Sequence, residues 1–280
     1  MTYQGPNSAQ AEFWNETAGP TWVALQDRLD HEVAPLGDAA LRALAPAPGE
    51  RILDIGCGCG QTSLQLAERV GPSGDVLGLD ISRPMLAVAR ARTASPDAAR
   101  PRFVEGDAQT FDFDQGAFDA AFSRFGWMFF TDPAAAFANI RRALRPGGRL
   151  SLVTWRSLAE NPLFAAPAQA AASMVELPPP PDPTAPGPFR YAEAASATRV
   201  LCDAGFSEVS AEPFDAPVGS TDLDGALDLA LKLGPLGAAL RQTPALTDKV
   251  SPAVREALEK FLTLDGLRIP AAVWIVTARA

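Results

Sequence analysis

Between Arg51 and Arg156 short apolar runs alternate with Ala-, Leu- and Arg-rich stretches at helical spacing. Arg51-Ile52-Leu53-Asp54-Ile55 is predicted as a buried strand, because parallel strands covered on both faces read as near-continuous apolar runs. A glycine turn and a helix near Thr62 to Val70 follow. Asp75 to Leu79 is predicted as the second strand. Ser82, as N-cap, with Pro84 in the first turn, opens a helix to about Thr93. Arg102 to Glu105 and Phe118 to Phe122 are predicted as the third and fourth strands. Asp132-Pro133 starts a helix that runs to about Leu144, where Pro146-Gly147-Gly148 stops it, and Arg149 to Trp155 is the fifth strand. Strands alternating with helices predict an α/β fold, a doubly wound parallel sheet with right-handed crossovers and helices on both faces.

The flanks read differently. Trp22 to Val33 is predicted as one helix with Trp22, Leu25, Leu29 and Val33 on a single stripe. Residues 157–190 read as loose chain, and seven of the eleven residues from Pro178 to Pro188 are proline, which predicts a stiff exposed loop. Tyr191 to Ala204 is predicted helical with Gly205 as its stop, and Phe206 to Phe214 as a sixth strand. Two helical stretches, Asp222 to Leu240 and Pro252 to Leu264, precede a final strand, Ala271 to Arg279. The expected organisation is an N-terminal helical lid (1–45), a core (46–156), a Pro-rich insertion (157–190) and a completion of the core (191–280) that carries a helical cap at about 219–266.

Composition narrows the function. The chain has 280 residues, 47% hydrophobic and 20% charged, with a net charge of −9. Those are globular values that argue against disorder. An acidic chain without a dense basic run is a poor ligand for a phosphate backbone, so nucleic acid is not an expected partner. No apolar run is long enough to span a bilayer. Three cysteines, two of them one residue apart, make no disulfide framework, and a cytoplasmic location is the default expectation.

The informative segment is Leu53-Asp54-Ile55-Gly56-Cys57-Gly58-Cys59-Gly60-Gln61-Thr62, which joins the first strand to a helix. Three alternate glycines let the backbone turn tightly and approach a ligand with no Cβ in the way, and the helix start offers free N–H groups. A dinucleotide fingerprint needs Gly-x-Gly-x-x-Gly. Counted from Gly56 the third glycine position is Gln61, and counted from Gly58 it is Ser63, so that pattern fails. A phosphate-binding P-loop fails too, because no Lys-Ser or Lys-Thr follows. An NAD-dependent oxidoreductase is therefore disfavoured.

The pattern that remains, strand-Asp-x-Gly-x-Gly-x-Gly, resembles motif I of the class I S-adenosylmethionine-dependent methyltransferases. Leu77-Gly78-Leu79-Asp80-Ile81-Ser82, Gly106-Asp107-Ala108, Phe118 to Phe130 and Leu144-Arg145-Pro146-Gly147-Gly148-Arg149-Leu150 resemble that family's later motifs in order and spacing. Gly187-Pro188-Phe189 and Ala204-Gly205-Phe206 are similar to segments of its UbiE/Coq5-like bacterial subgroup. The resemblance implies a seven-stranded Rossmann-like methyltransferase sheet with a helical cap, S-adenosylmethionine as cofactor and S-adenosylhomocysteine as product. It implies a cofactor crevice built from Asp54, Gly56, Cys57, Gly58, Gly60, Gln61, Asp80, Ile81, Met85, Gly106, Asp107, Ala108 and Ser123. Asp54 would orient the amino-acid end, Asp80 the ribose and Asp107 the adenine amine, with Ile81 and Met85 about the ring.

The chemistry then needs alignment of acceptor, methyl and sulfur with water excluded. Ser123 and Arg124 stand where enzymes that methylate nucleic-acid amines carry Asp or Asn, which lowers the expectation of that chemistry. Arg124 can pair with an anionic acceptor or, more blandly, with a neighbouring loop. Trp14, Trp22, Trp127 and Phe129 are candidate walls of an acceptor pocket, against ordinary packing. His31, the only histidine, is a candidate base, although it falls opposite the apolar stripe, with Asp27 one turn away. Cys57 and Cys59 lie inside a glycine turn that leaves no room for tetrahedral metal ligation, so no metal is expected. The expected activity is methyl transfer to a small, partly apolar molecule by a monomer or homodimer. The alternatives are a protein or RNA methyltransferase and a non-catalytic binding module for the same cofactor.

Overall fold

The computed structural model describes residues 5–180, 182–219 and 222–280. Helices α1 (Ser8–Glu12), α2 (Ala18–Ala24), α3 (Gln26–Glu32) and α4 (Ala34–Leu44) precede the first strand, with a π-helical turn at Phe13–Thr17. The single helix expected from Trp22 to Val33 is broken at Leu25, whose ψ of 6° ends α2 before α3 begins. Apolar periodicity continues through such a break, so the pattern does not betray it.

The core follows as β1 (Arg51–Ile55), α5 (Gln61–Val70), β2 (Asp75–Asp80), α6 (Arg83–Ala91), β3 (Arg102–Glu105), β4 (Phe118–Arg124), α7 (Pro133–Ala143) and β5 (Leu144–Trp155). Asp132 caps α7 with its carboxylate on the Ala135 N–H. Ser82 occupies the N-cap position of α6, but its hydroxyl donates to the Trp14 carbonyl (2.8 Å) instead of capping. Helix α7 ends at Ala143, and Leu144 already pairs with Phe118, so strand geometry begins before Pro146-Gly147-Gly148.

Helices α8 (Pro162–Ala171) and α9 (Ala194–Asp203) flank the Pro-rich loop, and β6 (Ser207–Val218) follows. Helix α8 corrects the expectation of loose chain throughout 157–190. Pro162 sits in its first turn, where the missing N–H costs nothing, and Asn161 ties its start to β9 through Ala272. Helices α10 (Leu223–Lys232), α11 (Gly234–Gln242) and α12 (Thr247–Glu259) form the cap, and Leu233 divides the first stretch expected as one helix. Helix α12 closes at Glu259, so residues to Leu264 are not helical. Strands β7 (Leu262–Thr263) and β8 (Gly266–Leu267) make a small hairpin there, and β9 (Ile269–Arg279) ends the fold.

The seven-stranded sheet has the order β3-β2-β1-β4-β5-β9-β6. Strands β1 to β5 are parallel, and β9 inserts antiparallel between β5 and β6. The order reverses between β1 and β4, so the carboxyl ends of these two strands frame the switch-point crevice where open α/β sheets bind ligands. Ile52, Leu53, Ile55, Ala120, Ala121 and Phe122 are nearly or fully sequestered and form the middle of the core. Among the described residues no helix is long and apolar enough to cross a membrane.

Candidate functional site

The loop from Gly56 to Gly60 has left-handed φ at all three glycines (65°, 54° and 83°), a conformation that a side chain would strain. It is tied down from below: the Gly56 and Cys57 N–H groups both donate to the Leu79 carbonyl (2.8 and 3.2 Å). It is tied from the side as well, because the Gly58 N–H donates to Asp80 Oδ2 (2.7 Å). A Cβ on Gly56 would lie 2.8 Å from the Gly126 Cα, so the loop and the end of β4 touch backbone to backbone.

Three carboxylates stand at the carboxyl ends of neighbouring strands. Asp54 on β1 is wholly buried, and its Oδ2 accepts from the Thr62 and Ser63 hydroxyls (2.7 and 2.6 Å). Its other oxygen, Oδ1, is sealed from solvent without a partner. Burial pushes this carboxyl up to about 6, against the pull of the two hydroxyls and Arg124. Asp80 at the end of β2 accepts from the Gly58 and Ser82 N–H groups (2.7 and 2.8 Å), and burial raises its pKa too. Two backbone bonds leave acceptor capacity on a carboxylate, which has about four lone-pair sites. Asp107 after β3 accepts from the Gln109 N–H and the Asn7 side-chain amide, both at 2.9 Å. Gly106 is joined to the Asp80 carbonyl (2.9 Å), and the Ala108 carbonyl accepts from Asn139 (3.0 Å). The Met85 methyl reaches to 2.9 Å from where a Gly58 Cβ would be. Ile81 is half-buried, and its carbonyl accepts from Asn15 (3.0 Å).

The N-terminal helices lie across this crevice. Asn7 bridges Asp107 and the Thr131 N–H (2.7 Å), and Asn15 also accepts from the Arg83 N–H (2.9 Å). Trp14 packs edge-on against Phe129 (5.1 Å) and Trp22 (5.8 Å). Asp30 of α3 accepts from Arg92 (2.7 Å) and Arg124 (3.2 Å), while Gln61 joins the Asp30 carbonyl (3.2 Å) and Arg124. Arg124 therefore ties the lid to the end of β4, the blander of its two expected roles. Removing Asp30 leaves two mostly buried guanidinium groups without their carboxylate. The variant Asp30→Ala is expected to lose about 2 kcal/mol of stability, measured by denaturant unfolding, with part regained in Asp30→Ala/Arg124→Met.

Several expected site residues lie apart from the crevice. Ser123 is fully buried; its hydroxyl donates to the Ile55 carbonyl (2.7 Å) and accepts from the Trp127 N–H (3.2 Å), which joins β4 to β1. Trp127 is a core residue and not a pocket wall. It is sequestered, stacked on Tyr191 at 4.1 Å, and donates to the Val153 carbonyl (2.8 Å). Trp22 packs on the Leu25, Leu29 and Leu229 cluster between lid and cap. His31 is exposed and lines an open groove of about 500 Å³ with Val23, Arg28 and Asp228. Cys57 and Cys59 are buried thiols, the first pushed well up and the second to about 12 by burial, so both stay protonated. Asn7, Asn15, Asp30 and Arg92 carry no motif, and nothing in the spacing of the chain marks them; only the closure of the lid brings them to the crevice.

The comparisons with known proteins agree with this architecture. Residues 52–148 match the model of a methyltransferase domain, from β1 to the turn before the body of β5. The chain is 45% identical over 108 residues to a demethylmenaquinone methyltransferase of Thermus thermophilus, an alignment covering 39% of this chain and 48% of that protein. It is 36% identical over 118 residues to the nocamycin O-methyltransferase of Saccharothrix syringae, covering 42% of each chain. The chain thus spans about half the length of the curated relatives it matches. The YcgJ protein of Bacillus subtilis has the same fold, with a TM-score of 0.57 at 17% identity over 88% of this chain and 98% of that one. The sheet order is therefore that of a Rossmann-like fold shared with that solved structure.

The residues at the crevice fit S-adenosylmethionine, the donor that the sequence resemblance implies. Asp54 Oδ1, a buried acceptor with nothing to accept from, matches an ammonium group. Asp80 matches a vicinal diol and Asp107 an exocyclic amine, one strand further along each time.

Proposed function

We propose that this chain binds S-adenosylmethionine in the crevice over β1, β2 and β3 and catalyses transfer of its methyl group to a small molecule. The observation that carries the proposal is the pairing of a loop whose three glycines, Gly56, Gly58 and Gly60, are left-handed, with the unsatisfied oxygen of Asp54 at the end of the strand just before it. The bound cofactor supplies an already activated methyl group, so the protein has to align, enclose and exclude water. Asp54, Asp80 and Asp107 hold the donor, the Gly58 N–H keeps Asp80 turned to the loop, and Trp14 and Phe129 close over it. A lid and a helical cap across the carboxyl edge favour an acceptor that can be enclosed over a polymer, which needs an open groove. The relatives named for demethylmenaquinone and nocamycin methylation support a small-molecule acceptor for this chain as well.

Calorimetry tests the proposal: S-adenosylmethionine and S-adenosylhomocysteine are expected to bind and NAD to give no heat. Heat with NAD alone would overturn it. The pH dependence is a second expected outcome. Asp54 holds an ammonium only as a carboxylate, so affinity should be flat above about pH 6 and fall up to about tenfold per unit below it. The same shift acts on stability in the opposite sense. A folded-state pKa raised from 3.8 to about 6 contributes stability below the unfolded value and loses it as pH rises through about 6. Asp54→Asn should therefore remove both dependences, read by calorimetry and by thermal unfolding across that window.

A further inference from the structure

We propose that the two ends of the N-terminal lid imitate the methyl donor, Asn7 standing in for its exocyclic amine on Asp107 and Asp30 for its carboxylate on Arg92 and Arg124, so that donor binding displaces both. The inference rests on the methyl-transfer reading above and adds how that site is guarded. At one end, the Asn7 side-chain amide donates to Asp107 Oδ1 (2.9 Å), and Asn7 is only 4% exposed. A carboxamide NH2 and the amine of an adenine ring are equivalent donors, two hydrogens on a planar nitrogen. The carboxylate matched to the adenine amine therefore already holds a copy of it. At the other end, Asp30 accepts from Arg92 (2.7 Å) and Arg124 (3.2 Å), and all three side chains are largely buried. Arg124 ends β4, the strand beside β1, and also donates to Gln61, the first residue of the helix after the glycine loop. The Asp54 carboxyl, raised by burial, is drawn back in part by the Arg124 charge, so this cation serves the same end of the crevice as the unpaired Asp54 Oδ1. An amino-acid group carries ammonium and carboxylate on one carbon, and a site that takes the ammonium on Asp54 needs a cation at that end. The two guanidinium groups there are held by a carboxylate of the lid.

The lid is built to release these ends separately. Its middle is anchored to the turn after β2 by bonds that leave the three crevice carboxylates untouched. Asn15 donates to the Ile81 carbonyl (3.0 Å) and accepts from the Arg83 N–H (2.9 Å), and the Ser82 hydroxyl donates to the Trp14 carbonyl (2.8 Å). A Cβ on Gly19 would lie 2.0 Å from the Trp14 carbonyl oxygen and 2.8 Å from the Ser82 hydroxyl, so α2 sits flush on that anchor. On either side of the anchored stretch the regular helix is interrupted. The π-helical turn Phe13–Thr17 separates it from α1, whose N-cap is Asn7, and Leu25 separates it from α3, which carries Asp30. Each end is thus a short helix joined to the anchor by a break in regular hydrogen bonding, and each can swing without unseating Trp14. The two exchanges differ in what they demand. A buried guanidinium left without an anion is costly, so Arg92 and Arg124 release Asp30 only to another carboxylate. A nucleoside that lacks the amino-acid end displaces Asn7 and leaves Asp30 in place.

Calorimetry on the intact chain tests the inference with two ligands, S-adenosylhomocysteine and 5′-methylthioadenosine, which lacks the amino-acid end. The isosteric Asp30→Asn should bind S-adenosylhomocysteine about tenfold more tightly than wild type and 5′-methylthioadenosine equally, because only the first ligand has to expel Asp30. Asn7→Ala should tighten both ligands, each about threefold. Asn15→Ala loosens the middle of the lid and frees neither end, so it should tighten neither. Equal or weaker binding of S-adenosylhomocysteine to Asp30→Asn, or the same tightening for both ligands in Asp30→Asn or in Asn15→Ala, would overturn the inference. Hydrogen exchange on the wild type gives a second readout that needs no variant to fold. Saturation with S-adenosylhomocysteine should speed amide exchange in Gln26–Glu32, and saturation with 5′-methylthioadenosine should leave it unchanged. Slower exchange there with S-adenosylhomocysteine is the mark of a lid that clamps the donor, and it too would overturn the inference. Failure of S-adenosylhomocysteine to bind any of these proteins removes the methyl-transfer reading and this inference with it. Binding to wild type without the end-specific pattern removes this inference alone.

Discussion

Asp80→Ala should weaken S-adenosylhomocysteine binding by about a hundredfold, the cost of two lost charge-assisted hydrogen bonds in a partly buried site. The size follows from a double role. Asp80 holds the Gly58 N–H at 2.7 Å, so it fixes the glycine loop before any ligand arrives, and it offers its remaining lone pairs to the ribose diol. Asp80→Asn separates the two. Its amide oxygen can still accept one backbone N–H, but it has lost the second acceptor oxygen, so an intermediate loss of about tenfold is expected. A titration of both variants by calorimetry, with 5′-methylthioadenosine as a ligand lacking the amino-acid end, checks the assignment. The truncated ligand should lose as much as the complete one. If only the complete ligand is affected, the carboxylate serves the amino-acid end and the ribose assignment is wrong.

The core was legible because its signals are local. Strand β1 is a run of apolar residues ending in Asp54, and the glycines that follow have φ values only glycine adopts freely, so residue type and backbone state carry the same information. The positions of Asp80 and Asp107 were legible for a related reason: Asp80 ends β2, beside β1, and Asp107 follows β3, beside β2, and the place of a strand end follows from counting one helix and one strand. The lid was not legible in this way. Asn7 and Asp107 are a hundred residues apart, and Asp30 meets Arg124 across 94. Neither pair leaves a periodic trace, because each is a single polar contact between elements whose register is set by packing elsewhere.

The misplaced residues share a cause. Ser123 and Trp127 were expected in the pocket because they follow a strand that ends at the crevice. The chain turns away there. Phe125 takes a left-handed φ of 67° and stacks on Trp155 at 4.4 Å, and the short 3₁₀ helix Gly126–Phe129 then carries Trp127 behind the sheet towards Phe137 and Tyr191. A left-handed aromatic residue is not predictable from composition, and this one turns the segment that carries Trp127. Helix α8 shows the converse. Its proline-containing sequence reads as loop, and the packing of Ala168 and Ala171 into the interior overrides the weak local signal.

The turn that misled the sequence is also where a small change should do most damage. Gly126→Ala is expected to cost about 3 kcal/mol of stability and to abolish cofactor binding, because the added methyl would enter an overfilled contact with no flexible neighbour. A Cβ on Gly126 would sit 2.8 Å from the Gly56 Cα and 2.9 Å from the Ile55 carbonyl oxygen, both backbone atoms, and 3.2 Å from the Ser123 hydroxyl. Relief requires the glycine loop to move away from β4. Moving the loop strains the Gly56 and Cys57 bonds to Leu79 and shifts the Gly58 N–H from Asp80. A cavity-side control distinguishes this from general intolerance. Gly187→Ala, where nothing lies within 4 Å of the new Cβ, should leave stability within about 0.5 kcal/mol and affinity unchanged. Chemical denaturation and calorimetry on the pair give the comparison. If Gly126→Ala keeps full affinity, the loop does not depend on its backbone contact with the end of β4, and the crevice is not the single rigid unit that alignment of a methyl group demands.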